Sequence, residues 1–178
     1  MRQLIHRLQS DEALMLAYQR GDVAAFDSLY RRHKDGLFAF LYRSCPRQAV
    51  VEELAQEAWE GVVDAAARYQ PDARFRTWLY RIAHNRLVDF WRRRDNRMDN
   101  LEGVPEPVAP GDDATQLQRT VMSAVAALPG EQRDALLLQE QGFSLGDIAA
   151  ITGAERETVK SRLRYARRQL RERLGDEL

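Results

Sequence analysis

Ser144–Leu170, SLGDIAAITGAERETVKSRLRYARRQL, reads as a short helix, a tight turn and a longer helix. Leu145, Ile148, Ala149 and Ile151 form the apolar side of the first helix, and Thr152, Gly153 and Ala154 supply the turn. This is the helix-turn-helix layout, in which small Ala149 permits close helix approach and Gly153 tolerates the turn backbone. In the longer helix Val159, Leu163, Ala166, Leu170 and Leu174 recur at intervals of four or three and face a core. Arg156, Glu157, Lys160, Ser161, Arg164 and Tyr165 are left toward a DNA groove near the helix start, where base edges are read. Arg162, Arg167 and Arg168 are better placed for phosphates.

A second basic stretch lies upstream, Arg74–Arg94, RFRTWLYRIAHNRLVDFWRRR. It carries seven arginines against Asp89, a net of +6, and Arg156–Arg173 reaches the same net charge. Phe75, Trp78, Tyr80, Phe90 and Trp91 interleave with the arginines, as a platform for unpaired bases requires: rings stack while guanidinium groups hold the backbone. Phe75 and Trp78 also satisfy the apolar stripe of a core helix. Tyr69, Asn85 and the exposed arginines carry the binding reading.

Between the two stretches, Asp95–Asp113 holds six acids against Arg97, a net of −5. Over the whole chain of 178 residues, 27 basic residues balance 27 acidic ones, so the pointer to a polyanion lies only in their distribution. The 44% hydrophobic content suffices for real cores and excludes disorder throughout. Cys45 is the single cysteine, which excludes an intrachain disulfide and a cysteine metal cluster and fits a reducing compartment. His6, His33 and His84 have no metal-ligand spacing. No apolar run approaches a membrane span or a signal peptide, so the expectation is a soluble, cytoplasmic chain without membrane insertion.

Helical periodicity dominates and strand alternation is not sustained anywhere, which predicts an all-α fold. Helices are expected from Ser10 or Asp11 to Arg20, from about Phe26 to Ser44, from Ala49 to Tyr69 and from Phe75 to Arg94. Pro105, Pro107, Pro110, Gly103 and Gly111, with almost no large apolar residue nearby, predict a flexible acidic linker over 95–115. Further helices are expected at about Gln116–Ala127, Glu131–Glu140, Ser144–Ile151 and Glu155–Leu174. Two small helical domains, 1–94 and 116–178, follow.

The motifs GDVAAFDSLYRRH, VVEELAQEAWEGV, FRTWLYRIAHN and LPGEQRDALLLQEQGFSLGDIAAITGAERETVKSRL resemble the extracytoplasmic-function (ECF) sigma factors of bacterial RNA polymerase. The resemblance covers nearly the whole chain. It implies a sigma region 2 domain followed by a region 4 domain, no enzymatic activity and no cofactor. The implied partners are core RNA polymerase, promoter DNA as duplex and as melted non-template strand, and an anti-sigma factor.

The resemblance also distributes roles over this chain. Glu53, Gln56 and Glu57 fall where the family grips the clamp helices of the largest polymerase subunit. Tyr69, Arg74, Arg76, Ala83, Asn85, Arg86, Arg92 and Arg93 fall in the part that recognises the minus-ten element. There a flipped base is expected in a pocket near Tyr69, Ala83 and Asn85. Arg156, Glu157, Thr158, Lys160, Ser161, Arg162, Arg164, Tyr165 and Arg168 fall where the minus-thirty-five element is contacted. Glu155, Arg156 and Glu157 stand where Pro or Gly often precedes the Thr-Val pair, and Tyr165 replaces a frequent arginine, so the base preference is this chain's own. The linker matches the connector that threads toward the polymerase active centre, and an inert tether fits the same composition. A stand-alone helix-turn-helix regulator with a sensing or dimerising first domain is the rival reading.

Overall fold

A computed structural model describes residues 8–45, 47–98 and 116–175. Among these residues it contains eight α-helices and no strand. α1 spans Asp11–Gln19, α2 Val23–Ser44, α3 Gln48–Ala65 and α4 Phe75–Met98, with a short 3-10 turn at Ala66–Arg68. α5 spans Gln116–Ala126, α6 Gly130–Glu140, α7 Leu145–Thr152 and α8 Arg156–Leu174. The expected all-α class and the helix order are those observed.

Local chemistry sets the helix ends. The Ser10 hydroxyl accepts from the Ala13 N–H at 3.1 Å, and Asp11 and Glu12 place negative charge on the positive end of α1. Glu12 also accepts from the Phe75 N–H at 2.8 Å, so a side chain of α1 satisfies an orphan donor at the start of α4. At α7, Ser144 and Asp147 form a reciprocal capping box, and Gly153 closes the helix at φ 68°. That left-handed backbone is cheap only for glycine, as the turn reading required.

α1 to α4 pack around Leu14, Leu29, Leu37, Phe40, Leu41, Val51, Val62, Leu79 and Leu87, all fully buried. Gly61 lets α3 approach α4 closely: a methyl group there would stand 2.9 Å from Cγ2 of Ile82. The second unit, α5 to α8, closes over Leu137, Leu138, Ile148, Ile151, Val159 and Leu163. The two cores are joined. Buried residues of both units belong to one continuous cluster, made where α4 packs on α7 and α2 packs on α6.

Two expectations need revision. α4 runs four residues past Arg94 because Asp95–Met98 contain no breaker, so the expected linker start is helical. Tyr80, expected on an open aromatic platform, is 1% exposed and lies under the second unit. The remaining linker positions, 99–115, fall outside the described residues.

Candidate nucleic-acid interface

α8 presents the groove-facing set largely as the periodicity predicted. Val159, Leu163, Ala166 and Leu174 are buried, while Arg156, Glu157, Thr158, Lys160, Arg164, Tyr165 and Arg168 are exposed and Ser161 is half-buried. Tyr165 is 38% exposed, and the guanidinium carbons of Arg164 and Arg168 sit 5.2 and 5.0 Å from its ring centroid. One ring thus orders two cations, each held on an aromatic face by the ring quadrupole. The Lys160 ammonium donates to Glu157 at 2.7 Å, and that ion pair holds the Glu157 carboxyl below its usual range. Arg162 departs from expectation: it pairs with Glu131 of α6 at 2.8 Å with only 19% of its side chain exposed, so it braces the unit instead of reaching outward.

The upstream set is split by the helix. Tyr69 is buried in an aromatic cluster, 4.9 Å from Trp78 and 6.3 Å from Phe75 between ring centroids. Its hydroxyl has no hydrogen-bond partner within the chain. Burial, with the nearby negative charges of Glu12, Asp11 and Asp72, pushes its pKa up to about 12. Asn85, Arg74, Arg92 and Arg93 are exposed and Arg86 is half-buried. Ala83 is fully buried while Asn85 is exposed, so the two side chains do not share one face of α4. Two residues along an α-helix turn the chain by about 200°, which puts the pair on opposed faces.

Arg76, expected toward DNA, packs against the second unit. Its guanidinium donates to the Gln141 carbonyl at 2.6 Å and lies 4.2 Å from the Phe143 ring centroid, which withdraws it from the outer surface. Around it Thr77 Oγ1 donates to Asp147 Oδ1 at 3.1 Å, and Tyr80 meets Phe143 edge-on at 4.8 Å. His84 Nε2 lies 3.0 Å from Asp134 Oδ2. Sequence reasoning missed this seam entirely. The Asp147 carboxyl is held below its ordinary value mainly by the Ser144 hydroxyl, against a smaller opposing effect of burial, with help from the Ser144 N–H, Thr77 and the charge of Arg74. The signal that was present is α4 itself, whose Thr77, Tyr80 and His84 repeat at helical spacing beside the Phe75, Leu79, Ala83 and Leu87 stripe.

On α3, Gln56 donates to Glu60 at 2.9 Å and lines an apolar groove with Phe26, Tyr30, Phe38 and Trp59. Glu53 and Glu57 line a different groove, facing Arg86, Arg93 and Arg94 of α4. The expected polymerase-facing trio therefore sits on the ridge between an aromatic trough and a mixed-charge one. Among the described residues no helix is long and apolar enough to cross a membrane.

Comparison with known proteins agrees with this architecture. Residues 29–97 match the Sigma-70 region 2 family and residues 118–170 match Sigma-70, region 4. The ECF RNA polymerase sigma factor SigM of Mycobacterium tuberculosis is 34% identical over 169 residues, covering 94% of this chain and 86% of SigM. SigE of Mycolicibacterium smegmatis is also 34% identical over 169 residues, covering 87% of this chain but only 65% of SigE. The sigma factor RpoE of Bartonella quintana, solved in complex with the anti-sigma factor NepR, superposes with a TM-score of 0.75 at 25% identity, covering 86% of this chain and 98% of RpoE. With both sigma regions matched, and a helix-turn-helix presenting cations at its recognition helix, the chain belongs to the ECF sigma factors of RNA polymerase.

Proposed function

We propose that this sigma factor binds core RNA polymerase through α3, captures the melted minus-ten strand with the Tyr69 turn and α4, and reads the minus-thirty-five duplex with α8. In this reading residues 1–98 form the region 2 domain, 99–115 the connector and 116–178 the region 4 domain. The chain is a specificity subunit, working in the cytoplasm, and the chemistry of RNA synthesis belongs to the core enzyme.

The observation that carries the reading is the exposed row Arg156, Lys160, Arg164 and Arg168 on a helix that buries Val159, Leu163, Ala166 and Leu174 against the second unit. Cations on such a row reach phosphates and base edges when the helix enters the major groove. For the melted strand, the candidates are Arg74, Asn85, Arg92 and Arg93 at the surface, with the unpartnered Tyr69 hydroxyl behind them. A flipped base costs a few kcal/mol of stacking, which ring contact and hydrogen bonds must offset. The Bartonella relative was solved with an anti-sigma factor, which supports an anti-sigma partner for this chain as well.

The test is transcription with purified core polymerase on a library of genomic fragments, with start sites mapped. The expected result is a small set of starts that share paired upstream motifs and vanish without the chain. Tight duplex binding by the chain alone, with no polymerase-dependent starts, would favour the stand-alone regulator and sink the sigma reading.

A further inference from the structure

The exposed line of α8 contains one group of the wrong sign for a polyanion. The helix carries eight basic residues and two acids, and Glu172 lies near its far end beside Arg168. Glu157 stands in the first turn, where base edges are read, with 80% of its side chain exposed. At about 100° per residue, Glu157 and Arg164 are only about 20° apart around the helix axis, so the acid shares the line of the cations. An exposed ion pair contributes little stability, and a carboxylate facing DNA is repelled by the phosphates. A donor in the groove explains its place on that line.

Chemistry narrows the donor. The Lys160 ammonium donates to Glu157 Oε1 at 2.7 Å and keeps the carboxyl ionised at neutral pH, so Glu157 is an acceptor only. In the major groove guanine and thymine present no N–H donor, which leaves cytosine N4 and adenine N6. Adenine N6 is flanked by two acceptors, its own N7 and O4 of the paired thymine, and both oppose a carboxylate. Cytosine N4 has acceptors on one side only, O6 and N7 of the paired guanine, and those suit an ammonium. Spacing agrees with this choice. N4 and O6 are hydrogen bonded across the base pair and so lie about 2.9 Å apart, close to the 2.7 Å between Lys160 Nζ and Glu157 Oε1. The ion pair need not break on binding, since the ammonium has three donors and the carboxylate about four acceptor sites.

We propose that Glu157 and Lys160 together read one C·G base pair of the duplex, the carboxylate accepting from cytosine N4 and the ammonium donating to O6 and N7 of the paired guanine. The inference rests on the reading of α8 as the element that enters the minus-thirty-five duplex. Glu157 then acts by exclusion as well as attraction: guanine or thymine at that position sets an acceptor against the carboxylate.

The test is selection by holoenzyme on a promoter taken from the mapped starts, with its upstream element randomised and the bound duplexes sequenced. The parent chain is expected to favour C at one position at least fivefold over each other base. Glu157→Ala should flatten that position to within twofold and leave the others as they are, with no loss of total binding, since a charge repelled by phosphate is gone. Glu157→Gln should raise A to within twofold of C there, because an amide pairs with adenine N6 and N7. Lys160→Ala should lose the preference at the same position. Weaker binding to all sequences alike in Glu157→Ala would assign the ion pair to helix structure and overturn the proposal. Unchanged preference in Glu157→Ala would overturn it too, as would a loss at a different position in Lys160→Ala. The selection is repeated with the isolated chain on a fully randomised duplex. If only the isolated chain enriches sequences, the sigma reading fails, and the same comparison of variants decides the base-pair reader there. Enrichment in neither selection sinks both.

Discussion

His84 Nε2 and Asp134 Oδ2 lie 3.0 Å apart across the seam between α4 and α6, with side chains only 9% and 10% exposed. A buried partner cannot be replaced by water without rearrangement, so truncating either residue leaves the other poorly satisfied. Asp134→Ala and His84→Ala are each expected to lower folding stability by about 1–3 kcal/mol. In a double-mutant cycle the two should couple. Unfolding free-energy changes from denaturant titration that add within about 0.5 kcal/mol would show that the pair does not interact.

Gly61→Ala tests the contact that sets the spacing of α3 and α4. Alanine gains about 1 kcal/mol of helix propensity, but its methyl would meet Ile82 Cγ2 at 2.9 Å, a branched methyl close to the backbone of α4. Overpacking of that kind costs about 1–3 kcal/mol, so the net effect is a loss of stability. A melting temperature that rises would mean that the two helices separate easily. Gly61→Ala with Ile82→Ala, which opens the space again, should cost less than the sum of the two single substitutions.

The helices were legible because each has a packed stripe and some have chemically marked ends. Ser10 and Gly153 act where side chain and backbone freedom suggested. The seam was not legible, because nothing in the periodicity of α4 distinguishes residues that face DNA from residues that face another helix. Arg76, Thr77 and His84 are polar, and polarity alone reads as solvent or nucleic acid. Tyr80 failed for the complementary reason: a ring beside arginines fits both a base platform and a cation–π contact within the protein. Ala83 was carried by its place beside Asn85 in the motif, and neighbours in a motif need not share a helix face.

Tyr69→Phe separates packing from binding. The Tyr69 hydroxyl is buried without a partner, so its removal should leave stability unchanged or raise it by up to about 1 kcal/mol. If the hydroxyl is kept for a flipped base, promoter opening should fall at least threefold in permanganate footprinting while binding to core polymerase is unaltered. Unchanged opening would remove Tyr69 from the minus-ten set.

Acid and alkali should each act through identifiable groups. Burial pushes the Asp11 carboxyl up, but hydrogen bonds from His33 and Arg32 outweigh it and leave the pKa below its ordinary value of 3.8. Asp147 is lowered from the same value, chiefly by the Ser144 hydroxyl. Groups lowered in the folded state contribute stability that is fully present above about pH 5 and is lost as pH falls through 3.8 toward the folded values. Tyr69 has the opposite sign at the other end: the folded chain holds its proton up to about 12, so stability falls as pH rises above the ordinary value of 10.0. Thermal melts across both ranges check this. Asp11→Asn should flatten the acid limb, and Tyr69→Phe should flatten the alkaline one.

The recognition helix yields the sharpest contrast, because its cations are held differently. Lys160 and Arg164 near the start of α8 are expected to read base edges, so alanine at either should cost about 1–3 kcal/mol at particular base pairs and little elsewhere. Arg168 lies one turn further on, beside Glu172 at 3.6 Å, and should act on phosphates: Arg168→Ala should weaken all sequences alike and reduce the salt slope by about 1. Tyr165 connects the two behaviours, since both Arg164 and Arg168 rest on its ring. Tyr165→Phe keeps the ring face and should bind as the parent does. Tyr165→Ala frees both guanidinium groups and should lose sequence preference and salt dependence together, as seen by holoenzyme binding to a duplex library at several salt concentrations. If Tyr165→Phe instead changes the preferred sequence, the hydroxyl itself contacts a base, and the ring is a reader in addition to a support.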